Sequence, residues 1–291
     1  MAKRFEPGSL KREHRKELTL KVSIYVFLIV ATLPVFLGYL WMLINSFSGE
    51  MVFGIVPKDL TLHNWRFLWE RPDPSYPNLW LTFLNTLILG LGVAVVVVVV
   101  STPAGYAISR LNFPGRASVL AFTLILHAFP GITLLISIYY VLRLLGLLNS
   151  IAGIILVRSS LMIPFGIWVM KGFFDGIPWD IEMSGLVDGA TRFQTWYKVM
   201  LPLVKPGIAA ISIFSFISGW SDYIFVVTFI LRKQSWTLAS YVNSAIGGFR
   251  FVDYGLLAAT AMFYILPVLL FFIFTQRYLM QVTIGGMKGG R

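Results

Sequence analysis

Apolar positions run in six long blocks: Leu20–Phe47, Thr82–Ser109, Ser118–Leu142, Ile151–Phe173, Pro206–Leu231 and Leu256–Leu279. Each is near the roughly 20 residues that a helix needs to cross a bilayer. The run Val95–Val100 would favour a strand in water. Inside so long an apolar stretch, lipid satisfies no backbone N–H or C=O group, and a helix is the only open-ended solution. The pattern predicts an all-α, polytopic membrane protein with six transmembrane helices and a helical loop outside the bilayer. The expected divisions are an N-terminal tail over 1–19, a six-span domain over 20–280 that includes the loop 174–205, and a C-terminal tail over 281–291.

The polar segments between the blocks set the orientation. One alternating set carries Lys3, Arg4, Lys11, Arg12, Arg15, Lys16, Lys21, Arg110, Arg116, Lys171, Arg192, Lys198, Lys205, Arg277, Lys288 and Arg291. The other carries only Lys58, Arg66, Arg71, Arg143, Arg232, Lys233 and Arg250. Basic residues favour the cytoplasmic side, so both termini and the loop 174–205 are expected there. Met1–Lys21 is long, polar and basic, and Val22–Ile44 is too long for a signal-peptide core; it reads as a membrane anchor. The opposite segment Gly49–Leu81 holds Pro57, Pro72, Pro74 and Pro77 with Trp65, Trp69, Tyr76 and Trp80. Aromatics of this kind suit a membrane–water interface, and Leu60–Trp69 is expected as a short interfacial helix or a docking point for a partner.

Composition sharpens this picture. The 291 residues are 57% hydrophobic and only 13% charged, against about 25% charged in a soluble domain. The formal charge of +11 would raise nucleic acid in a soluble protein. Here the cations sit between apolar blocks, which points to topology and anionic lipid instead. There are no cysteines, which removes disulfides, thiolate metal sites and cysteine nucleophiles. His14, His63 and His127 lack metal-ligand spacing. No Gly-x-x-x-x-Gly-Lys-Ser/Thr phosphate loop is present, so this chain is not expected to hydrolyse ATP or to hold a cofactor.

The loop between the fourth and fifth blocks is the informative one. Pro178 and Asp180 suit a helix start, Ile181–Val187 reads as a short helix, and Gly189 is placed to end it in a left-handed conformation. A second helix over Thr191–Met200 would align Phe193, Trp196, Tyr197 and Met200 at i, i+3, i+4 and i+7, one aromatic face. Leu201-Pro202 would then break it before the next span. Such a face outside the bilayer is either covered by a protein or laid on the membrane as an amphipathic helix.

The spacing Glu182…Asp188-Gly189-Ala190…Leu201-Pro202 resembles the "EAA" coupling loop of ABC importer permeases, in the same topological slot. Ser184-Gly185 stands for the family's Ala-Ala, small for small, with Met183 directly before it and Glu182 one place earlier. The chain resembles most the carbohydrate-uptake permeases, in particular the maltose-type second subunit. Further matching features are Tyr106-Ala107-Ile108-Ser109-Arg110 before Phe113-Pro114-Gly115-Arg116, and Leu144-Leu145-Gly146-Leu147-Leu148-Asn149-Ser150. Ile163-Pro164-Phe165, Trp220-Ser221-Asp222-Tyr223 and the ending Gly285-Gly286-Met287-Lys288-Gly289 match as well. After the tryptophan the family often has Asn-Glu-Phe, of which Ser221-Asp222-Tyr223 is a variant. The resemblance implies an inner-membrane subunit of a bacterial or archaeal cell that forms half of a path for a sugar or oligosaccharide. It also implies a second homologous permease subunit, two ATP-binding cassette subunits that hold ATP and Mg, and a solute-binding protein. Glu182, Ser184, Gly185, Asp188, Gly189, Ala190, Phe193, Trp196, Leu201 and Pro202 would then couple to the ATPase, with the Gly285–Arg291 tail reaching the same interface.

Charges inside apolar blocks are costly and mark candidate sites. Arg158 either snorkels to the outer surface or meets a binding protein or anionic solute. Asp222 either forms a structural pair or helix cap, or contacts solute. His127, near Pro130-Gly131, is expected as a buried, hydrogen-bonded residue beside a helix break rather than a proton relay. Met162, Phe165, Trp168, Phe214, Phe216 and Trp220, with Tyr223, either line a sugar path or pack the helices. The competing functions are a permease for a glycerol phosphate or polyol, an ion-coupled secondary transporter, and a membrane-embedded enzyme, which lacks a cluster of titratable groups.

Overall fold

The computed structural model describes residues 7–286 except 55, 73, 75 and 247–251; for 7–16 and 277–286 it describes the backbone alone. Lys3, Arg4, Arg250, Lys288 and Arg291 of the charge pattern, and the ending from Met287 onward, therefore lie outside the described residues. The chain forms two compact units, one of residues 1–65 with 253–262 and one of 66–252 with 263–291.

In the first unit, α1 (Pro7–Ser46) runs without a break. Its segment Glu17–Ser46 is long and apolar enough to cross a membrane, and none of its most apolar stretch is buried by the chain, although Asn45 and Ser46 at its end are. A two-stranded antiparallel hairpin follows, β1 (Met51–Val52) with β2 (Val56–Pro57), in register Met51↔Pro57 and Val52↔Val56. Asn64 Nδ2 ties the segment down by donating to the Ser48 and Asn45 carbonyls at 2.7 and 3.3 Å. The helix expected over Leu60–Trp69 is a 3₁₀ helix over His63–Leu68.

The second unit is built on α2 (Leu79–Arg110), which packs against α5 (Ile151–Asp175) and α9 (Lys205–Trp220). Lipid supplies no hydrophobic drive between helices, so close van der Waals approach has to hold them, and small residues permit it. At the α2–α9 crossing a Cβ on Gly219 would lie 3.0 Å from Gly90 Cα. One core gathers Leu89, Val93, Val97, Ile154 and Val157 with Val226 and Phe229. A second, at the other end of α2, gathers Tyr106, Met170, Phe174, Met200, Val204 and Ile211.

Among the described residues four helices are long and apolar enough to cross a bilayer: Glu17–Ser46, Leu79–Arg110, Ile151–Asp175 and Tyr254–Gln276, the last within α12 (Tyr254–Gly286), which follows the short α11 (Leu238–Ile246). The expected third span is bent instead. α3 (Arg116–Ala128) and a 3₁₀ turn leading into α4 (Leu135–Leu144) meet at 89°. Pro130 lacks an N–H and forces Phe129 into an extended conformation (ψ 126°), as the residue before proline prefers. The expected fifth span is interrupted too. α9 ends at Trp220, Ser221-Asp222-Tyr223 break it, and α10 (Ile224–Phe229) resumes. Sixteen residues of α9 reach only about 24 Å, short of a ~30 Å hydrocarbon core.

Candidate functional site

The loop after α5 folds as the local sequence dictates. Pro178 precedes α6 (Trp179–Val187), with Asp180 and Glu182 in its first turn. α6 ends in a Schellman motif: Gly189 N–H donates to the Leu186 carbonyl and Ala190 N–H to the Gly185 carbonyl, both at 3.1 Å. Gly189 has φ 85°, a conformation that costs an L-residue with a Cβ. A capping box of Thr191 and Gln194 then starts α7 (Arg192–Thr195). The chain next widens into a π-helical turn over Trp196–Met200, continues as α8 (Leu201–Leu203), and turns into α9 at a 74° bend.

The π turn has a local cause. Pro202 has no N–H to give the Lys198 carbonyl, and its ring would crowd that carbonyl in an α-helix. Leu201 N–H bonds the Trp196 carbonyl instead. The extra residue per turn shifts the register, so the single aromatic face expected from Phe193, Trp196, Tyr197 and Met200 does not form. Met200 is fully buried, Trp196 half-buried, and Phe193 and Tyr197 are 71% and 59% exposed. The helix also continues through Leu201-Pro202, where a break was expected, and stops at Val204.

Glu182 corrects another expectation. It points inward, at 2% exposure, rather than toward a partner. Its Oε1 accepts a 2.6 Å hydrogen bond from the Tyr106 hydroxyl. Its Oε2 faces Arg110 Nε at 3.3 Å, an ion pair without hydrogen-bond alignment. Arg110 Nη2 donates to the carbonyls of Phe174 at 2.7 Å and Ile177 at 2.5 Å. The guanidinium also lies 4.8 Å over the Trp179 ring. One cation at the end of α2 thus grips the end of α5 and the start of α6. Beside it, the Ser109 hydroxyl donates to Asp175 Oδ1 at 2.6 Å, and Lys171 pairs with Asp175. A buried charge is tolerated only when paired and hydrogen-bonded; Glu182 and Arg110 pair with each other, and their hydrogen bonds run to the Tyr106 hydroxyl and to the Phe174 and Ile177 carbonyls.

The remaining residues divide by face. Ser184, Asp188, Gly189, Phe193 and Pro202 are exposed, while Gly185, Ala190, Trp196 and Leu201 are half-buried. Gly185 lies where α6 meets the next helices: a Cβ there would come 3.2 Å from the Thr195 side chain. An apolar stripe of α6 faces outward at i, i+4 and i+8: Trp179, Met183 and Val187, the last 86% exposed. The sequence reading missed Tyr106, Ser109 and Arg110 as site residues. The available signal was that Arg110 and Glu182 fall at ends of segments on the same expected side of the membrane.

The second charged site joins α5 to the broken helix. Arg158 Nε lies 3.1 Å from Asp222 Oδ2, and Arg158 Nη2 donates to the Ser218 carbonyl at 2.9 Å. Asp222, 4% exposed, also accepts from Phe225 N–H at 3.2 Å and caps α10. Arg158 therefore turns inward to a partner rather than snorkelling outward. The pair borders a cavity of about 680 Å³ that Met162, Tyr223 and His127 also line. His127 is exposed, not buried, and stacks on Phe165 at 5.5 Å, which meets Phe214 edge-on at 5.7 Å. Trp220 and Phe216 are core residues: Trp220 is 1% exposed and its indole N–H donates to the Tyr264 carbonyl. No cluster of three or more metal-ligating His, Asp or Glu side chains occurs among the described residues.

Comparison with known proteins gives three concordant findings. Residues 101–281 match the family model described as "Binding-protein-dependent transport system inner membrane component". The maltodextrin transport system permease protein MdxG of Bacillus subtilis is 32% identical over 270 residues, 92% of each chain. The diacetylchitobiose uptake system permease protein NgcG of Streptomyces coelicolor is 30% identical over 265 residues, 87% of this chain and 84% of the relative. Among solved structures, a chain of a bacterial ABC transporter involved in the import of the acidic polysaccharide alginate superposes with TM-score 0.73. It covers 95% of this chain and 99% of that one at 21% identity, a likeness of fold.

Proposed function

This chain belongs to the family of binding-protein-dependent transport system inner membrane components, and from that premise we propose that it is the transmembrane subunit of an ATP-driven sugar importer. It forms half of the path beside a second homologous permease subunit, and a solute-binding protein delivers the solute. Two ATP-binding cassette subunits hold ATP and Mg²⁺ and grip the loop 174–205 from the cytoplasm.

The observation that carries the reading is the anchored loop with an apolar outer face. Arg110 ties α6 to α2 and α5 through Glu182 and the Phe174 and Ile177 carbonyls. A push on α6 therefore moves the helices together instead of bending a tether. Trp179, Met183, Val187, Phe193 and Tyr197 remain exposed, as expected for a surface that a partner covers. The coupling contact is apolar and aromatic in this account, and Glu182 serves as its anchor from behind. The two arrangements of the path are then biased by nucleotide through differential contacts on this lever.

The sugar class draws support from the names of the relatives and from the cavity. Arg158 and Asp222 neutralise each other at its wall, which suits a neutral polyhydroxylated solute better than a glycerol phosphate. His127 and Tyr223 add rings to its wall on which a sugar face can stack. The test is uptake into proteoliposomes holding the chain with its copurified subunits and binding protein. Uptake of neutral oligosaccharide that requires internal ATP and survives dissipation of the proton gradient supports the reading. Uptake that proceeds without ATP and collapses with the gradient overturns it.

A further inference from the structure

The hairpin after α1 plays no part in this mechanism. Its tip residue, Phe53, is 95% exposed, and Val52 and Val56 beside it are 42% and 58% exposed. An aromatic so bare invites the question of what covers it. Phe53 also holds φ 52°, an uncommon conformation for a bulky residue.

The hairpin is rigidly placed. The Trp41 indole N–H donates to the Gly54 carbonyl at 2.7 Å, so the tip folds back along α1 instead of projecting away from it. Helical side chains lean toward the helix N-terminus. The tip therefore sits at least five residues inside the Ser46 end, about 7.5 Å back along the axis at 1.5 Å per residue. From Val22, just past Lys21, to Ser46 α1 is apolar; those residues span about 37 Å, and a hydrocarbon core takes about 30 Å of that. With Lys21 at the far boundary, the excess at the Ser46 end is about 7 Å. That places the tip at the boundary between headgroups and acyl chains.

Polarity follows the same axis. The base of the hairpin is charged: Lys58 Nζ pairs with Glu50 Oε2 at 2.8 Å, and Asp59 Oδ1 accepts from Glu50 N–H at 3.0 Å. The tip, from Met51 to Pro57, carries no charge or polar side chain. The surface of α1 beside it, with Leu37 and Leu40, is apolar and exposed. The exposed apolar residues of the hairpin tip and of α1 thus lie on one side of the charged base formed by Glu50, Lys58 and Asp59.

We infer that the hairpin is a membrane-dipping finger, with Phe53 in the headgroup–acyl boundary of the leaflet at the Ser46 end of α1. Apolar groups buried about 5–10 Å into that boundary are the usual mode of interfacial anchoring. The finger fixes the depth and rotation of α1, and the inference requires only that α1 crosses the bilayer.

The absence of cysteine makes the test clean. F53C is labelled with an environment-sensitive fluorophore in the full chain with its copurified subunits, in proteoliposomes whose acyl chains are brominated at defined depths. Expected are a blue-shifted emission, quenching strongest by bromines near the headgroup, and resistance to aqueous iodide. K58C at the base should show the reverse. V56C repeats the measurement should F53C fail to assemble. Quenching by iodide with no response to brominated lipid overturns the proposal. So does protection from both quenchers, which would mean a protein covers the tip.

Discussion

At 2% exposure, the Glu182 carboxylate has exchanged its water for one hydroxyl and one guanidinium. Removing one member of such a pair strands the other charge and typically costs about 3–5 kcal/mol. Glu182→Ala should therefore lower the unfolding midpoint of the detergent-solubilised chain markedly. The double variant E182L/R110M should recover only part of the loss: it removes the stranded charge but leaves the Tyr106 hydroxyl and the Phe174 and Ile177 carbonyls unpaired. A single Ala variant as stable as wild type would show that the pair does not hold the loop. The Arg158–Asp222 pair predicts a milder case. D222N keeps the shape but removes the charge facing Arg158 and weakens the cap on α10. It should reduce uptake while ATPase subunits still copurify, which pull-down and transport assays separate. These pairings were only half legible in the sequence. Burial marked Arg158 and Asp222 as costly, but the partner of each lies 64 positions away, and no local pattern reports so distant a contact. Glu182 was visible in the motif; its inward direction was not, because it depends on Arg110, 72 positions earlier.

At the scale of elements, the loop shows where local rules suffice and where they stop. The end of α6 was readable because glycine at a left-handed position is a local requirement, and Gly189 meets it with φ 85°. Gly189→Ala should cost about 1–2 kcal/mol and misdirect α7, seen as lost coupling with the chain still inserted. The second helix was misread because a 3.6-residue period was carried through Pro202, where the backbone widens into a π turn. The same kind of error joined α3 to α4 and α9 to α10: apolar blocks mark what lies in lipid, not whether the helix inside is continuous. The exposed residues give the sharpest variant. Phe193→Ala removes a bare ring, so fold stability should move by no more than about 0.5 kcal/mol. Binding of the ATPase subunits should weaken by about 2 kcal/mol or more, roughly 30-fold. Equal affinity of the variant and wild-type chains in titration would take the ring out of the interface.

For the whole molecule, the six apolar blocks and the low charge content specified a helical membrane protein, because lipid admits little else. Which faces meet lipid and which meet protein is not written in composition, since both are apolar. The central claim is that the loop 174–205 is a cytoplasmic lever gripped by a separate ATPase. It is tested most directly by V187C and, separately, F193C in this cysteine-free chain, with a membrane-impermeant thiol reagent applied to each side of sealed vesicles. The account predicts reaction from the cytoplasmic side alone in the isolated chain, and loss of that reaction once the ATPase subunits are bound. Labelling from the opposite side, or unchanged cytoplasmic labelling through every nucleotide state of the assembled complex, would contradict it.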